Sequence, residues 1–307
     1  MLAAPRFHHL HLNSVDPDAA IDFYRRLFPT SVTTRWAGRP ALGAPNDVLV
    51  VFDRVAAPPP TTPQTAIWHF GWHVPDTRRA LETYHGQAAA ALLPLYTGDG
   101  GSVLISSETW PGTGGVLGRT KAQITEAKAS GVQPTRSGGF GYMRGPDDAL
   151  VEYAGNHPAE RFNHVHFFHE DPFCAQLWYQ RHLDATVPAG RAPREPVTET
   201  TCPVPRGADR TFPALDRDGM FRTPVAAVAF GDVAFPSYMR QGDQALVSTR
   251  GHLYDHIGLG VDDLDAWVAK LRGDGVTFLE EPYRLGDTRA VMIEGPSREA
   301  IELVEVR

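Results

Sequence analysis

The sequence predicts an α+β protein built from four βαβββ modules that pack in pairs. A histidine is followed seven residues later by an aspartate four times: His9 with Asp16, His69 with Asp76, His164 with Asp171, and His256 with Asp263. Each histidine sits in a short apolar run (HLHLNSV, HFGWHV, HVHFFHE, HIGLGV) that reads as a strand, and each aspartate stands where a helix opens. Two units also close alike, with Gly145-Pro146 followed by Glu152 and Gly295-Pro296 by Glu302, each glutamate inside a strand-like run. A module of one helix and four strands is too small to close its own sheet, so modules must pair.

The elements follow from these anchors. Aspartate is a favoured N-cap because its side-chain oxygen accepts orphan first-turn N–H groups, and Pro17 and Pro172 follow at the first helical position. The first unit is expected to have a strand over 7–14, a helix over 17–28 and strands over 32–36 and 47–54. The proline-rich AAPPPTTPQT that follows reads as a stiff spacer. The second unit is expected to have a strand over 67–74, a helix over 76–86 and strands over 90–96, 102–107, 138–144 and 149–154. An insertion over 108–137, with a helical stretch TKAQITEAKAS, lies between its inner strands and has the length of a lid or binding element. The third has a strand from 163, a helix over 172–184, an irregular stretch over 188–224, and strands over 225–240 and 244–248. In the fourth, strand 254–261 and helix 263–273 precede strands over 276–281, 288–294 and 299–306. Tyr24, Tyr84, Tyr179 and Leu271 each lie fifteen residues after the repeat histidine and read as helix-to-sheet core residues.

At 307 residues there is room for two domains. They are expected to divide near residue 158, giving an N-terminal domain 1–158 (modules 1–60 and 61–158) and a C-terminal domain 159–307 (modules 159–250 and 251–307). A net charge of −7 offers no electrostatic footprint for nucleic acid or an anionic membrane, so the expected partner is a small molecule. The two cysteines, Cys174 and Cys202, are too few for a disulfide framework and read as inert, partly buried thiols. The N-terminus has no signal-peptide pattern and no run approaches the ~20 apolar residues of a membrane span. The expectation is a cytoplasmic protein, with association into a homo-oligomer left open.

A carboxylate inside an apolar strand is costly to bury without a cation. The order His, His, Glu occurs twice: His9, His69, Glu152 in the first half and His164, His256, Glu302 in the second. Each is the ligand set of a 2-His-1-carboxylate metal site. A lone strand histidine is ordinarily a satisfied core residue, but four at equivalent positions with two equivalent glutamates are explained together by metal binding. His11 and His166, two residues beyond a proposed ligand on the same strand face, are candidate substrate or supporting contacts. Tyr142 is a candidate hydrogen-bond donor to a bound oxyanion. The repeat aspartates are read as caps without chemistry.

The strand-helix-strand-strand-strand repeat, the HIGLGVDD of His256 to Asp263, and the Gly295–Glu302 closing motif resemble the vicinal oxygen chelate superfamily. That group includes glyoxalase I, bleomycin and fosfomycin resistance proteins, and type I extradiol dioxygenases. The resemblance implies paired modules forming cup-shaped mixed sheets, with a metal held by first-strand histidines and a last-strand glutamate. It also implies a metal-dependent enzyme acting on a small oxygenated organic substrate. Four modules at this length look most like a ring-cleaving extradiol dioxygenase, with Fe(II) the favoured metal and Zn, Mn, Ni or Mg as alternatives. The tyrosine such dioxygenases carry before the closing turn is replaced here by Met292 in the second half and kept as Tyr142 in the first. The alternatives are a non-redox glyoxalase-like isomerase or lyase, a resistance transferase, and a metal-free drug- or metabolite-binding protein. The second half is the first expectation for the working site.

Overall fold

The computed structural model describes the chain apart from residues 1, 86, 88–90, 96–104, 107–125, 127, 128, 131–139, 156, 194, 205–210, 214–219, 222–225, 241–243 and 307. The first module runs β1 (Arg6–Ser14), α1 (Pro17–Leu27), β2 (Val32–Trp36), β3 (Arg39–Gly43) and β4 (Leu49–Arg54). The second has β5 (Ile67–His73), α2 (Thr77–His85), β6 (Ala91–Leu95), β7 (Ile105–Ser106), β8 (Phe140–Arg144) and β9 (Leu150–Ala154). The third has β10 (Arg161–His169), α3 (Pro172–Leu183), short strands β11 (Thr211–Pro213) and β12 (Met220–Phe221), then β13 (Ala226–Phe230) and β14 (Val233–Met239). The fourth has β15 (Tyr254–Val261), α4 (Leu264–Gly273), β16 (Phe278–Leu285), β17 (Thr288–Glu294) and β18 (Ala300–Glu305).

The architecture is the expected α+β arrangement of mixed sheets. It departs from the expectation in how modules pair. The chain forms two compact units that do not follow the halves: one is Met1–Trp68, His164–Val204 and Pro224–Arg307, the other His69–Asn163 and Pro205–Thr223. These units do not coincide with the division expected near residue 158. In the first unit, eight described strands form one sheet in the order β16-β17-β18-β15-β1-β4-β3-β2. The join is β1 antiparallel to β15, with His9 opposite Gly258 and His11 opposite His256. The first module is thus completed by the fourth, because β1 and β15 each bring one open edge. The first unit also holds the order β13-β14-β10, and the second unit the order β5-β9-β8-β6-β7.

Local differences have local causes. The strand expected over 32–36 is β2, and it pairs with β3, which was not expected. The pair turns through Ala37 and Gly38, both at positive φ, which suits a tight hairpin. The strands expected over 225–240 form a hairpin turning at Gly231, and in the stretch 244–248 Val247 bridges Thr65, the one pairing of that stretch among the described residues. Most of the expected insertion over 108–137 and part of the strand over 102–107 lie outside the described residues.

Asp16, Asp76 and Asp263 cap their helices by accepting the N–H groups of Ala19, Arg79 and Ala266. Asp171 does not cap; its carboxylate accepts the Val204 N–H at 3.0 Å instead. The two cysteines are not free thiols. Cys174 on α3 and Cys202 form a disulfide, their Cα atoms 4.9 Å apart, well inside bonding range. Nothing in their spacing of 28 residues signals this.

Alternation builds the core of the first unit. On β1 the apolar Leu10 and Leu12 are buried on one face while His9 and His11 occupy the other, and β15 repeats this with Ile257 and Leu259 against His256. Tyr24, Tyr179 and Leu271 are fully buried beneath their helices, as expected. A buried polar network ties α3 to the closing turn of the fourth module. The Tyr179 hydroxyl donates to Glu299 at 2.5 Å, the Ser297 N–H donates to the same carboxylate at 2.8 Å, and His169 Nδ1 meets the Ser297 hydroxyl at 2.9 Å. Gly295 is required here, since a Cβ would lie 2.5 Å from the Glu299 carboxyl carbon.

Two predictions follow from this packing. Residues 1–158 expressed alone leave the β1 edge without β15, and are expected to be insoluble or to lack cooperative unfolding; co-expression with residues 159–307 should restore soluble protein, as judged by size-exclusion chromatography and circular dichroism. Burial pushes the Glu299 carboxyl up to about 7, against the lowering by its Tyr179 and Ser297 hydrogen bonds. Because the folded value lies above the unfolded one, the fold holds the proton more tightly, and stability falls as pH rises from about 4.5 to about 7. Relative to a Glu299→Gln variant, the native protein should lose roughly 3 kcal/mol across that window, read from urea unfolding at each pH.

Candidate metal centre

The first unit gathers four of the predicted residues on one sheet face. His9 and His11 alternate on β1, His256 lies on β15 opposite His11, and Glu302 lies on β18 in register with Gly258. His9 Nε2 is 3.4 Å from His256 Nε2 and 3.4 Å from Glu302 Oε2, while His256 Nε2 is 3.9 Å from the same oxygen. All four residues are buried, and Glu302 Oε2 has no hydrogen-bond partner. An orphaned carboxylate oxygen facing two imidazole nitrogens calls for a cation. Bonds of about 2.0–2.2 Å to one metal place neighbouring ligand atoms about 3 Å apart, so a contraction of a few tenths of an ångström suits this set to a divalent ion.

The surroundings orient each ligand. His256 Nδ1 meets Asp255 Oδ1 at 2.6 Å, which fixes the ring and leaves Nε2 to face the site. Burial alone would raise the Asp255 carboxyl, but hydrogen bonds from His256 and the Gly251 N–H, with Arg250 alongside, hold it well below the usual range. His9 Nδ1 meets His8 Nδ1 at 2.9 Å, and its ring lies 4.8 Å from that of Trp36. Burial above all, then the charges of His8, His256, His11 and Arg39, keeps His9 well below the ordinary imidazole value, so it is neutral as a ligand must be. Glu302 Oε1 accepts a short hydrogen bond from the Tyr283 hydroxyl, and burial followed by the Glu302 charge pushes that hydroxyl above its usual range. Gly258 makes room for the His9 ring, since a Cβ there would lie 1.9 Å from His9 Cε1.

His11 Nε2 is 3.1 Å from Asp53, which Arg39 also holds at 2.9 Å. Burial lowers His11 to about 4, and the hydrogen bond from His11 lowers Asp53 to about 2. A neutral His11 therefore donates from Nε2 to an ionised Asp53 at neutral pH.

The two expected triads are not assembled in chain order. His9 joins His256 and Glu302 rather than His69 and Glu152, because β1 pairs with β15. His164 is not beside His256; it lies on β10, its ring 6.0 Å from that of His166, and the His166 ring is 4.5 Å from that of Tyr238. In the second unit His69 Nε2 meets Glu152 Oε2 at 3.0 Å, and the Tyr142 ring stands 5.2 Å from the His69 ring, edge to face. Tyr283, Asp255 and Asp53 were missed by sequence reasoning. Asp255 directly precedes a repeat histidine, a signal that was available; nothing near Tyr283 or Asp53 in the chain marks them.

Comparison with known proteins identifies a family and a fold. The family model described as Glyoxalase/Bleomycin resistance protein/Dioxygenase superfamily matches residues 128–303. Glyoxalase I from Zea mays is similar in fold, with a TM-score of 0.63 at 13% identity, covering 98% of this chain and 92% of that one. A Bacillus subtilis subsp. subtilis str. 168 protein provisionally assigned as a dioxygenase has a TM-score of 0.56 at 9% identity, covering 99% of this chain and 86% of that one. At these identities the likeness is one of fold. No curated protein sequence matches the chain. Among the described residues no helix is long and apolar enough to cross a membrane.

The close approach at Gly258 yields a test. Gly258→Ala must displace the His9 ring, and should lower Zn(II) affinity at least tenfold and stability by about 1–3 kcal/mol. Gly273→Ala, where a Cβ meets nothing within 4 Å, should leave affinity unchanged. Isothermal titration and thermal unfolding read both.

Proposed function

The chain belongs to the glyoxalase/bleomycin resistance protein/dioxygenase superfamily, and from that premise we propose that it is a metal-dependent enzyme acting on a small organic substrate with two neighbouring oxygens. The observation that carries this is the convergence of His9 Nε2, His256 Nε2 and the orphaned Glu302 Oε2 in a buried cluster. A metal-free binding protein has no use for an unpaired buried carboxylate oxygen, whose desolvation costs about 1–3 kcal/mol or more.

The most specific form of the proposal is oxidative opening of an aromatic diol ring by an extradiol-type enzyme. A 2-His-1-carboxylate set suits Fe(II), which when bound would supply a site for an ionised diol and dioxygen together. The chain's own residues prepare that site. Asp255 fixes the His256 ring, Tyr283 engages one Glu302 oxygen and leaves the other to the metal, and the Trp36 ring flanks His9. The non-redox alternative, an isomerase or lyase working on an enediolate, is favoured by the whole-chain likeness to maize glyoxalase I. Both readings use the same ligands, with Zn, Ni, Mn or Mg acting as a Lewis acid in the second. The His69–Glu152 pair, with Tyr142 against it, is a further candidate for holding metal.

The proposal is tested on protein purified anaerobically and loaded with Fe(II), Zn(II), Ni(II) or Mn(II). The ring-opening form requires oxygen uptake coupled to loss of a catechol, confined to the Fe(II) protein. Turnover of a hemithioacetal without oxygen, supported by Zn(II) or Ni(II), would favour the isomerase instead. Either activity should fall at least a hundredfold in Glu302→Gln and disappear on chelation, with the fold retained by circular dichroism. Undiminished activity in Glu302→Gln would sink the assignment of this site.

A further inference from the structure

The four modules fall into two kinds, and the difference bears on how the metal is held. In the fourth module the residue two beyond the repeat histidine is Gly258, and the last strand places Glu302 against it. In the first module the corresponding residue is His11, and the last strand places Val51 against it. The bulky ligand side chain has moved from the last strand to the first. The same exchange recurs elsewhere in the chain. In the second module Gly71 faces Glu152, whereas in the third the register from His164–Ala234 to Phe167–Ser237 sets Pro236 against His166. Modules with glycine keep the glutamate, and modules that lack the glutamate carry a second histidine.

We infer that His11 is a fourth protein ligand to the metal, an imidazole standing in for the carboxylate that the first module lacks; this rests on the metal centre proposed above. His11 is buried and its Nδ1 has no hydrogen-bond partner, while Nε2 is held at 3.1 Å by Asp53. That partnership fixes the tautomer with the lone pair on Nδ1, as Asp255 fixes the lone pair of His256 on Nε2. The His11 ring lies 4.3 Å from the His256 ring, and one ligand atom from each of His9, His11 and His256 falls within 4.8 Å of the others. Opposite ligands on one metal are about 4.2 Å apart, so these nitrogens need only a small contraction to share an ion. The resulting set is three imidazoles and one carboxylate. It carries one negative charge where two histidines and two glutamates would carry two, and its nitrogen content favours Fe(II), Co(II), Ni(II) or Zn(II) over Mg(II) or Mn(II). An octahedral ion so held keeps two positions, enough for a chelating pair of substrate oxygens but not for a chelated diol and dioxygen together, so a fourth ligand favours the non-redox form of the proposal.

The test reads metal binding without turnover. Full-length protein carrying His69→Ala, His164→Ala and His166→Ala, which removes the other repeat-strand histidines able to ligate, is titrated with Co(II) and Zn(II). Coordinated imidazoles are counted by pulsed EPR of the Cu(II)-loaded form. This parent should bind one equivalent and show three imidazoles. Adding His11→Ala should reduce the count to two and weaken binding by roughly ten- to a hundredfold. Combining His11→Gly with Val51→Glu rebuilds the pair of the fourth module, and should regain the affinity with two imidazoles. A parent count of two, or affinity unchanged in His11→Ala, overturns the fourth ligand while leaving the His9–His256–Glu302 centre intact. A parent that binds no metal, or binding undisturbed by His256→Ala, overturns the centre itself. Should His11→Ala fail to fold, the parent count alone decides.

Discussion

The antiparallel pairing of β1 with β15 is the interaction on which the candidate site depends. It sets His9 over Gly258 and His11 over His256, and so brings ligands separated by 247 residues into a single cluster. The pairing is specified by side-chain alternation, because a slip of one residue would turn Leu10, Leu12, Ile257 and Leu259 toward the histidine face and the histidines into the core. Burial of the aliphatic face and assembly of the polar face are therefore the same event. Sequential neighbours could not do this, since the edge that β1 leaves open is filled by the fourth module.

Charge is managed by a shell of carboxylates around the histidines. Asp255 and Asp53 each hold one imidazole nitrogen and thereby dictate which nitrogen faces inward. Each carboxylate is held in turn, Asp255 by Arg250 and Asp53 by Arg39. Hydrogen bonds from the histidines, with the arginines alongside, hold both acids ionised, the acids keep the rings oriented, and burial keeps His9 and His11 neutral. Glu302 is left as the anionic ligand, with Tyr283 occupying one oxygen so that only the other can turn toward an ion.

Much of this was legible in the chain. The His-to-Asp spacing located four strand–helix junctions, and the residue fifteen beyond the histidine marked the helix face that packs on each sheet. The candidate ligand histidines and glutamates stood out by their position within the repeat. Their grouping was not, because a repeat states that modules are equivalent but not which open edge meets which. Local pattern also failed where tertiary contact overrides it: RPALG forms β3 between two strands despite its proline, Asp171 gives up its cap for the Val204 N–H, and Cys174 meets Cys202 across a segment with no regular pattern. Tyr283 comes from β16, whose mostly exposed residues carry no sign of the one that reaches Glu302.

The repeat also explains why the site is lopsided. Both kinds of module can supply a first-strand histidine, but the space two residues further along admits only one large group from the facing strands. Gly258 cedes that space to the His9 ring from across the sheet, with Glu302 in register on the next strand of its own module. At the corresponding position stands the buried His11, with the smaller, apolar and buried Val51 in register on the neighbouring strand. An intermediate chain with both His11 and a glutamate at position 51 would crowd the face, and one with neither would leave a cavity beside a buried histidine. Histidine with valine, and glycine with glutamate, are thus the two self-consistent solutions to one steric problem, and joining one module of each kind yields a centre richer in nitrogen than two glycine-type modules would give.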